Sequence, residues 1–390
     1  MRKFGLTVPP PFEGKIDTEL LKKTVAYETE KTRFSFVSSL FGNIVTVVFI
    51  FGGLLNFYNS WIVSLNMPFV VSGLFFFLVL SYANTLITAP FSLYNTFRIE
   101  NKYGFNTMTL PLWLKDFFKT IILSTVITGI LILVGLWIVQ LSPASWWLWL
   151  WLFFLAFSLF MMYISPYVIE PLFNKFSPLE DQDMVDRIRQ MFLRIGITVN
   201  RVFTMDASKR SRHTNAYFSG IGKVKRIILY DTLLEMMDRD EILAVLAHEA
   251  GHWKKKHIFK MLVATEVLSL FIIYAVFQLV QTNLLTDLFS IGEETFAAKI
   301  VILGFLGGII SLPFTPVSSF ISRRFEREAD VFAFSLAGNK EAMISALIKL
   351  SKDNLSNLHP HPLYAGFYYS HPPMVQRIEQ IKNLKDDGRE

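Results

Sequence analysis

In "VLAHEAGHWKKKH" (Val245–His257), a glutamate follows the first of two histidines four residues apart. Positions four apart share one face of a helix, so His248 and His252 can grip one ion. Glu249 lies beside them, placed to take a proton from a metal-bound water. Zinc lowers the pKa of such a water from about 16 towards 7, making hydroxide available at neutral pH. The 390 residues include no cysteine, so disulfides, thiolate ligands and a cysteine nucleophile are excluded. Any metal site must draw on His, Asp and Glu.

A catalytic zinc needs a third protein ligand and one open position. "SSFISRRFEREADVFAFSLAG" offers Glu326, 74 residues beyond His252, with Asp330 one helical turn further on. Glu326 is the expected third ligand. Asp330 is expected to hydrogen-bond a ligand histidine or to act in proton transfer. The competing reading pairs Glu326 with Arg323 or Arg327 on a wet helix face, and Glu328 points away from the Asp330 side. "HTNAYFSG" reads as a strand, and the edge around Asn215, Ala216 and Tyr217 could take an extended peptide, with Asn215 bonding its main chain. An ordinary hairpin strand is the alternative. "YYSHPPMVQRIEQI" reads as a helix with Pro372 or Pro373 in its first turn. His371 just before it could donate to an oxyanion, or be only a cap. His359 and His361 fall in a proline loop without a role, and His257 with Lys254–Lys256 is expected among lipid headgroups.

The elements that must position these residues follow from local pattern. "DRDEILAVLAHEAGHWKKK" reads as a helix capped by Asp238 or Asp240, with three lysines suiting its C-terminal dipole. "DQDMVDRIRQMFLRI" (Asp181–Ile195) has helical apolar spacing, and "RVFTMDA", "NAYFSG" and "RIILYDT" read as three short strands.

The setting is a membrane. Apolar residues make up 52% of the chain and charged residues only 18%, against about 25% charged in a soluble protein; mean hydropathy is +0.40. Six runs reach the length of about 20 apolar residues that a bilayer requires: roughly 36–58, 69–91, 120–141, 145–168, 258–282 and 300–320. All but the fifth, with Lys260 and Glu266, lack charged side chains. The start, "MRKFGLTVPPPFEG", is no secretory signal, since prolines follow its basic residues. Segments 59–68 and 142–144 carry no Lys or Arg, and 283–299 only Lys299. Basic residues fall instead in 1–35, 92–119, 166–257 and 321–390, which places those stretches in the cytoplasm by the positive-inside tendency. That distribution explains the net charge of +6 without a nucleic-acid partner. The expected division is 1–168, an N-terminal membrane region with the loop 92–119; 169–257, an α+β insertion with the HExxH helix; 258–320, spans five and six; and 321–390, with the third ligand and the HPP helix.

"SRRFEREADVFA", "LAHEAGHW", "KRSRHTNAYFSG", "KRIILYDTLL" and "YSHPPMVQRI" resemble the zinc CAAX prenyl proteases of the endoplasmic reticulum and their prokaryotic relatives. So does "PFSLYNTFRIENKYGFNTMTL" (Pro90–Leu110), and the likeness runs from about residue 7 to residue 383. The resemblance implies an all-α polytopic membrane protein forming a helical chamber, with a small α+β zinc metalloprotease domain. It implies one zinc held by His248, His252 and Glu326 in gluzincin fashion, with Glu249 as general base. Asp330 would stand behind the ligands or donate a proton, and Asn215 and His371 would bind substrate and transition state. The implied reaction removes the C-terminal tripeptide of isoprenylated CaaX proteins at the bilayer. Family members have seven spans, so a span before "VPPPFEG" is absent here by nature or missing. The chain length and the absence of a C-terminal retrieval signal favour a prokaryotic inner membrane, with the endoplasmic reticulum the alternative. A quality-control protease of heat-shock type keeps the same chemistry with another substrate. A multi-span transporter with a metal-binding domain is the non-enzyme alternative, thinly supported because Glu266 is the only acidic residue within the spans.

Overall fold

The computed structural model describes residues 7–219 and 224–385. Its principal helices are α1 (Thr18–Phe51), α2 (Phe69–Tyr94), α3 (Leu110–Leu141), α4 (Trp146–Ile164), α5 (Gln182–Leu193) and α6 (Arg239–Lys254). They continue with α7 (His257–Val280), α8 (Phe296–Ser311), α9 (Thr315–Ala337), α10 (Lys340–Asp353) and α11 (Met374–Asn383). Four strands, β1 (Phe176–Pro178), β2 (Thr198–Met205), β3 (Ala216–Ser219) and β4 (Val224–Tyr230), form one sheet in the order β1-β2-β4-β3.

Among the described residues, six helical stretches are long and apolar enough to cross a membrane, matching the six expected runs. Their ends differ. The first begins at Thr18 rather than near 36 and stops before Gly52–Gly53, where Gly53 takes a left-handed φ of 79°. A separate helix, Leu54–Ser64, follows. The second and fourth spans continue through π-helical turns, Asn95–Glu100 and Ser165–Ile169. The sixth runs through a turn at Leu312–Phe314 directly into α9, so Phe296–Ala337 is one helical run.

Neighbour contacts order the spans. Helix α2 packs on α3, α3 on α4, α4 on α7, α7 on α8, and α8 back on α2, closing a ring of five, with α1 touching it near Asn95–Glu100. Only 0–11% of each apolar window is buried. Close-packed helices would bury the stripe they share, so these spans touch along their edges. At one end of the ring the link between α7 and α8 is bonded to Leu54–Ser64. Asn59 Nδ2 donates to Glu293 O at 2.8 Å, and Thr295 Oγ1 donates to Asn59 Oδ1 at 2.5 Å. Lys299 Nζ donates to the last carbonyls of the α7 end, Val280 O and Thr282 O, at 3.1 and 2.9 Å, where the helix dipole favours a cation.

At the other end sits the insertion with its sheet. Met184, Ile188 and Phe192 of α5 pack with Ile227 and Leu229 of β4, Leu246 and Ala247 of α6, and Ile378 of α11 in one core. Burying each large side chain contributes about 1.5–3 kcal/mol. Strand β2 runs parallel to β4, whereas β1 and β3 are antiparallel to their neighbours. Strand β1 was not expected from sequence: three residues ending in Pro178 carry almost no periodic signal. The loop after span two clasps the segment before β3. Arg212 N donates to Phe105 O at 3.0 Å, Asn106 bridges Ser211, and Phe105 stacks on His213 at 4.2 Å. Arg210 holds Asp116 through Nε at 2.8 Å.

Candidate metal centre

Helix α6 begins with a capping box. Asp238 accepts from Glu241 N at 3.0 Å, and Glu241 accepts from Asp238 N at 2.9 Å. Asp240 is not the cap. Buried Glu241 also accepts from Ser345 Oγ and Lys349 Nζ of α10, each at 2.6 Å. The start of the HExxH helix is therefore fixed in position as well as satisfied.

From its ninth residue, α6 crosses α9 on small side chains. Ala247, Ala250 and Gly251 face Ala329 and Ala333, all deeply buried. A Cβ on Gly251 would stand 2.9 Å from Ala329 Cα and 3.0 Å from Ala329 O. The glycine of HEAGH is thus where the two backbones nearly touch, and that closeness brings Glu326 to the histidines. His248, His252 and Glu326 present ligand atoms all within 4.8 Å of one another. Glu326 is 4% exposed and makes no pair with Arg323 or Arg327. Arg323 instead donates to Ala365 O and Tyr369 O.

The donor set fits a divalent cation. His248 Nε2 and His252 Nε2 face each other at 3.2 Å, and buried Glu326 Oε2 has no hydrogen-bond partner. Glu249, Glu326 and Asp330 bring three carboxylates against the single guanidinium of buried Arg377. Without an ion, a proton on His248 offsets part of this negative charge; a dication held by the same donors would replace that proton and offset the rest, since buried charge left unpaired is costly. Asp330 Oδ1 accepts from His248 Nδ1 at 2.8 Å, leaving Nε2 free to ligate. Burial disfavours the charged form of His248, but Asp330 and Glu326 outweigh it and push the imidazole up to about 9 in the ion-free cluster. Burial also pushes the Glu249 carboxyl up, partly opposed by the two histidines.

His371 reaches the cluster, its Nε2 3.3 Å from Glu326 Oε1 and its Nδ1 2.9 Å from Ser370 Oγ. Burial holds this imidazole below the usual histidine range. The helix after it starts at Met374, with Pro373 as the capping residue. Both prolines therefore precede the first turn. Asn215 stands at the entry to edge strand β3, which packs against α6. Its Oδ1 accepts from Ala216 N at 2.8 Å. Ala216 is buried, and Tyr217 Oη is committed to Glu170 at the end of span four, at 2.6 Å. Asn215, Ala216, His248, Glu249, Asp330, His371 and Arg377 line one cleft of about 130 Å³.

Two residues escape a sequence reading. Arg377 donates to both oxygens of Asp330, at 2.9 and 2.6 Å, and so fixes the carboxylate behind His248. Its signal was slight: one arginine set among the core positions Val375, Ile378 and Ile381. His257 is not among headgroups. It is 3% exposed, with Nδ1 3.1 Å from His252 Nδ1.

Residues 2–175 match the family described as CAAX prenyl protease N-terminal, five membrane helices, and residues 178–385 match Peptidase family M48. Over 388 residues the chain is 36% identical to a CAAX prenyl protease 1 homolog of Arabidopsis thaliana, covering 96% of this chain and 90% of that one. CAAX prenyl protease 1 of Saccharomyces cerevisiae is 34% identical, with 97% and 89% covered. The crystal structure of S. mikatae Ste24p superposes with a TM-score of 0.89 at 33% identity, covering 96% of this chain and 91% of that one.

Proposed function

Because the chain belongs to peptidase family M48 and carries the N-terminal membrane region of the CAAX prenyl proteases, we propose that this membrane metalloprotease uses zinc to cut the C-terminal tripeptide from isoprenylated CaaX proteins. The observation that carries the reading is one juxtaposition. Three metal donors lie within 4.8 Å of one another, beside Glu249 and an edge strand, on α6 and on α9, the latter continuous with a membrane span.

In this reading His248, His252 and Glu326 hold the ion. When bound, it supplies a Lewis acid that acidifies water and polarises the scissile carbonyl. Glu249 takes the proton of the attacking water and passes it to the leaving amine. Its raised pKa suits both roles better than an ordinary carboxylate would. Asp330, clamped by Arg377, keeps the His248 ring in place. An extended peptide adds to the free side of β3 beside Asn215, with Ala216 and Tyr217 contributing main chain. His371 donates to the carbonyl oxygen as charge develops.

The isoprenyl group tethers the substrate to the bilayer, so the bond to be cut never leaves the membrane surface. A ring of loosely packed spans gives that tail a place to lie next to the catalytic residues. The basic segments favour a centre on the cytoplasmic side of the membrane.

The test pairs a farnesylated CaaX peptide with its unprenylated twin, using protein stripped by chelator and refilled with zinc. The expected result is recovery on refilling and a much higher kcat/KM for the farnesylated peptide. Glu249→Gln should lower kcat by on the order of 10³-fold with zinc content unchanged. Equal turnover of the two peptides would overturn the substrate assignment and favour a general quality-control protease.

A further inference from the structure

We infer that His257 is a positioning residue for His252, itself held by Glu328, so that one ligand histidine is oriented through a second imidazole rather than by a carboxylate directly. The inference rests on the metal reading above and adds two residues to it.

The geometry assigns the hydrogens. His252 Nδ1 and His257 Nδ1 are 3.1 Å apart, so one donates and the other accepts. His252 spends its Nε2 lone pair on the ion, so its Nδ1 must carry the hydrogen. His257 Nδ1 is then the acceptor, and the hydrogen of His257 sits on Nε2. That nitrogen lies 3.2 Å from Glu328 Oε2. The other oxygen, Glu328 Oε1, accepts from Arg324 Nε at 3.1 Å. Every hydrogen bond in the row thus points the same way, from the ligand towards the carboxylate.

The ring of His257 is held for this purpose. It is 3% exposed and stacks flat on Phe325, centroids 4.1 Å apart and planes 7° off parallel. The link between α6 and α7 turns through Lys256 at φ 57°, which aims the first residue of a membrane span back at the helix it has just left. A buried histidine with no such role would need a partner for charge or packing; it would not need to set Nδ1 against Nδ1. Helix α9 therefore reaches His252 twice, through Glu326 at 3.2 Å and through Glu328 by way of His257. His248 has the shorter support, Asp330 at 2.8 Å.

The experiment measures zinc affinity by competition with a chelator, together with the melting temperature of the metal-free protein. His257→Phe keeps the stack on Phe325 and removes the acceptor, and zinc binding is expected to weaken 10–100-fold with metal-free stability unchanged. His257→Asn returns an acceptor near the Nδ1 position and should recover most of the affinity. The absorption spectrum of the cobalt-loaded protein should change in the Phe variant and return towards wild type in the Asn variant. Wild-type zinc affinity in His257→Phe, or an Asn variant no better than Phe, overturns the inference. Glu326→Ala, measured alongside, must lose zinc. If it does not, the metal reading fails, whatever His257 does.

Discussion

In the six spans, 0–11% of each apolar window is buried, whereas around the metal centre Ala247, Ala250, Ala329 and Ala333 are fully covered. The same kind of helix is held in opposite ways. Lipid is as apolar as the side chains it meets, so exposure there costs nothing and contact adds little. The ring needs only enough contact to fix the order of its neighbours, plus the bonded link around Asn59 and Lys299. At the metal centre three donors must meet within ångströms, and each charge must find a partner or an ion. Precision is concentrated where α6 and α9 cross, and looseness is left to the ring.

That contrast can be tested in order of effect. Gly251→Val places a branched side chain where 2.9 Å separates a Cβ from Ala329 Cα. Prying the crossing apart should cost about 1–3 kcal/mol in thermal unfolding and most of the zinc binding in chelator competition. Wild-type zinc affinity in this variant would mean that the crossing does not set the ligand distance. Acidity should act on the centre alone. His248 is raised from 6.5 to about 9 in the ion-free cluster, so it is protonated at neutral pH and zinc must displace that proton. Affinity should rise about tenfold per pH unit up to about 9 and then level, with one proton released per zinc in calorimetry. Asn59→Ala removes two hydrogen bonds at the far end of the ring. The expected loss is smallest, about 1–2 kcal/mol in unfolding, with zinc affinity untouched. A change in zinc affinity there would show that the two regions are coupled.

The spans were legible because nothing but a bilayer asks for six long apolar runs with their charges sorted to one side. The HExxH helix was legible because its cap, acids and histidines all lie within one short segment, and Glu326 because its segment places two carboxylates one helical turn apart in a chain without cysteine. Pairings over long sequence distances were hidden. Arg377 meets Asp330 across forty-seven positions, and no local pattern announces it. His257 was misplaced for a physical reason: three lysines before it and an apolar run after it describe a membrane surface, and only the left-handed turn at Lys256 reverses its direction. Gly251 carries no sequence signal of its own, because the reason for a glycine there, the close approach of Ala329, lies on the other helix.

The uninterrupted run Phe296–Ala337 makes the carboxylate ligand an extension of a membrane rod, and α6 is joined to the neighbouring rod by two residues. No cut along the chain yields a water-soluble piece holding all three donors without the lipid-embedded segments between them. The distance between Glu326 and the two histidines is therefore set by the packing of membrane helices as much as by the crossing of α6 and α9.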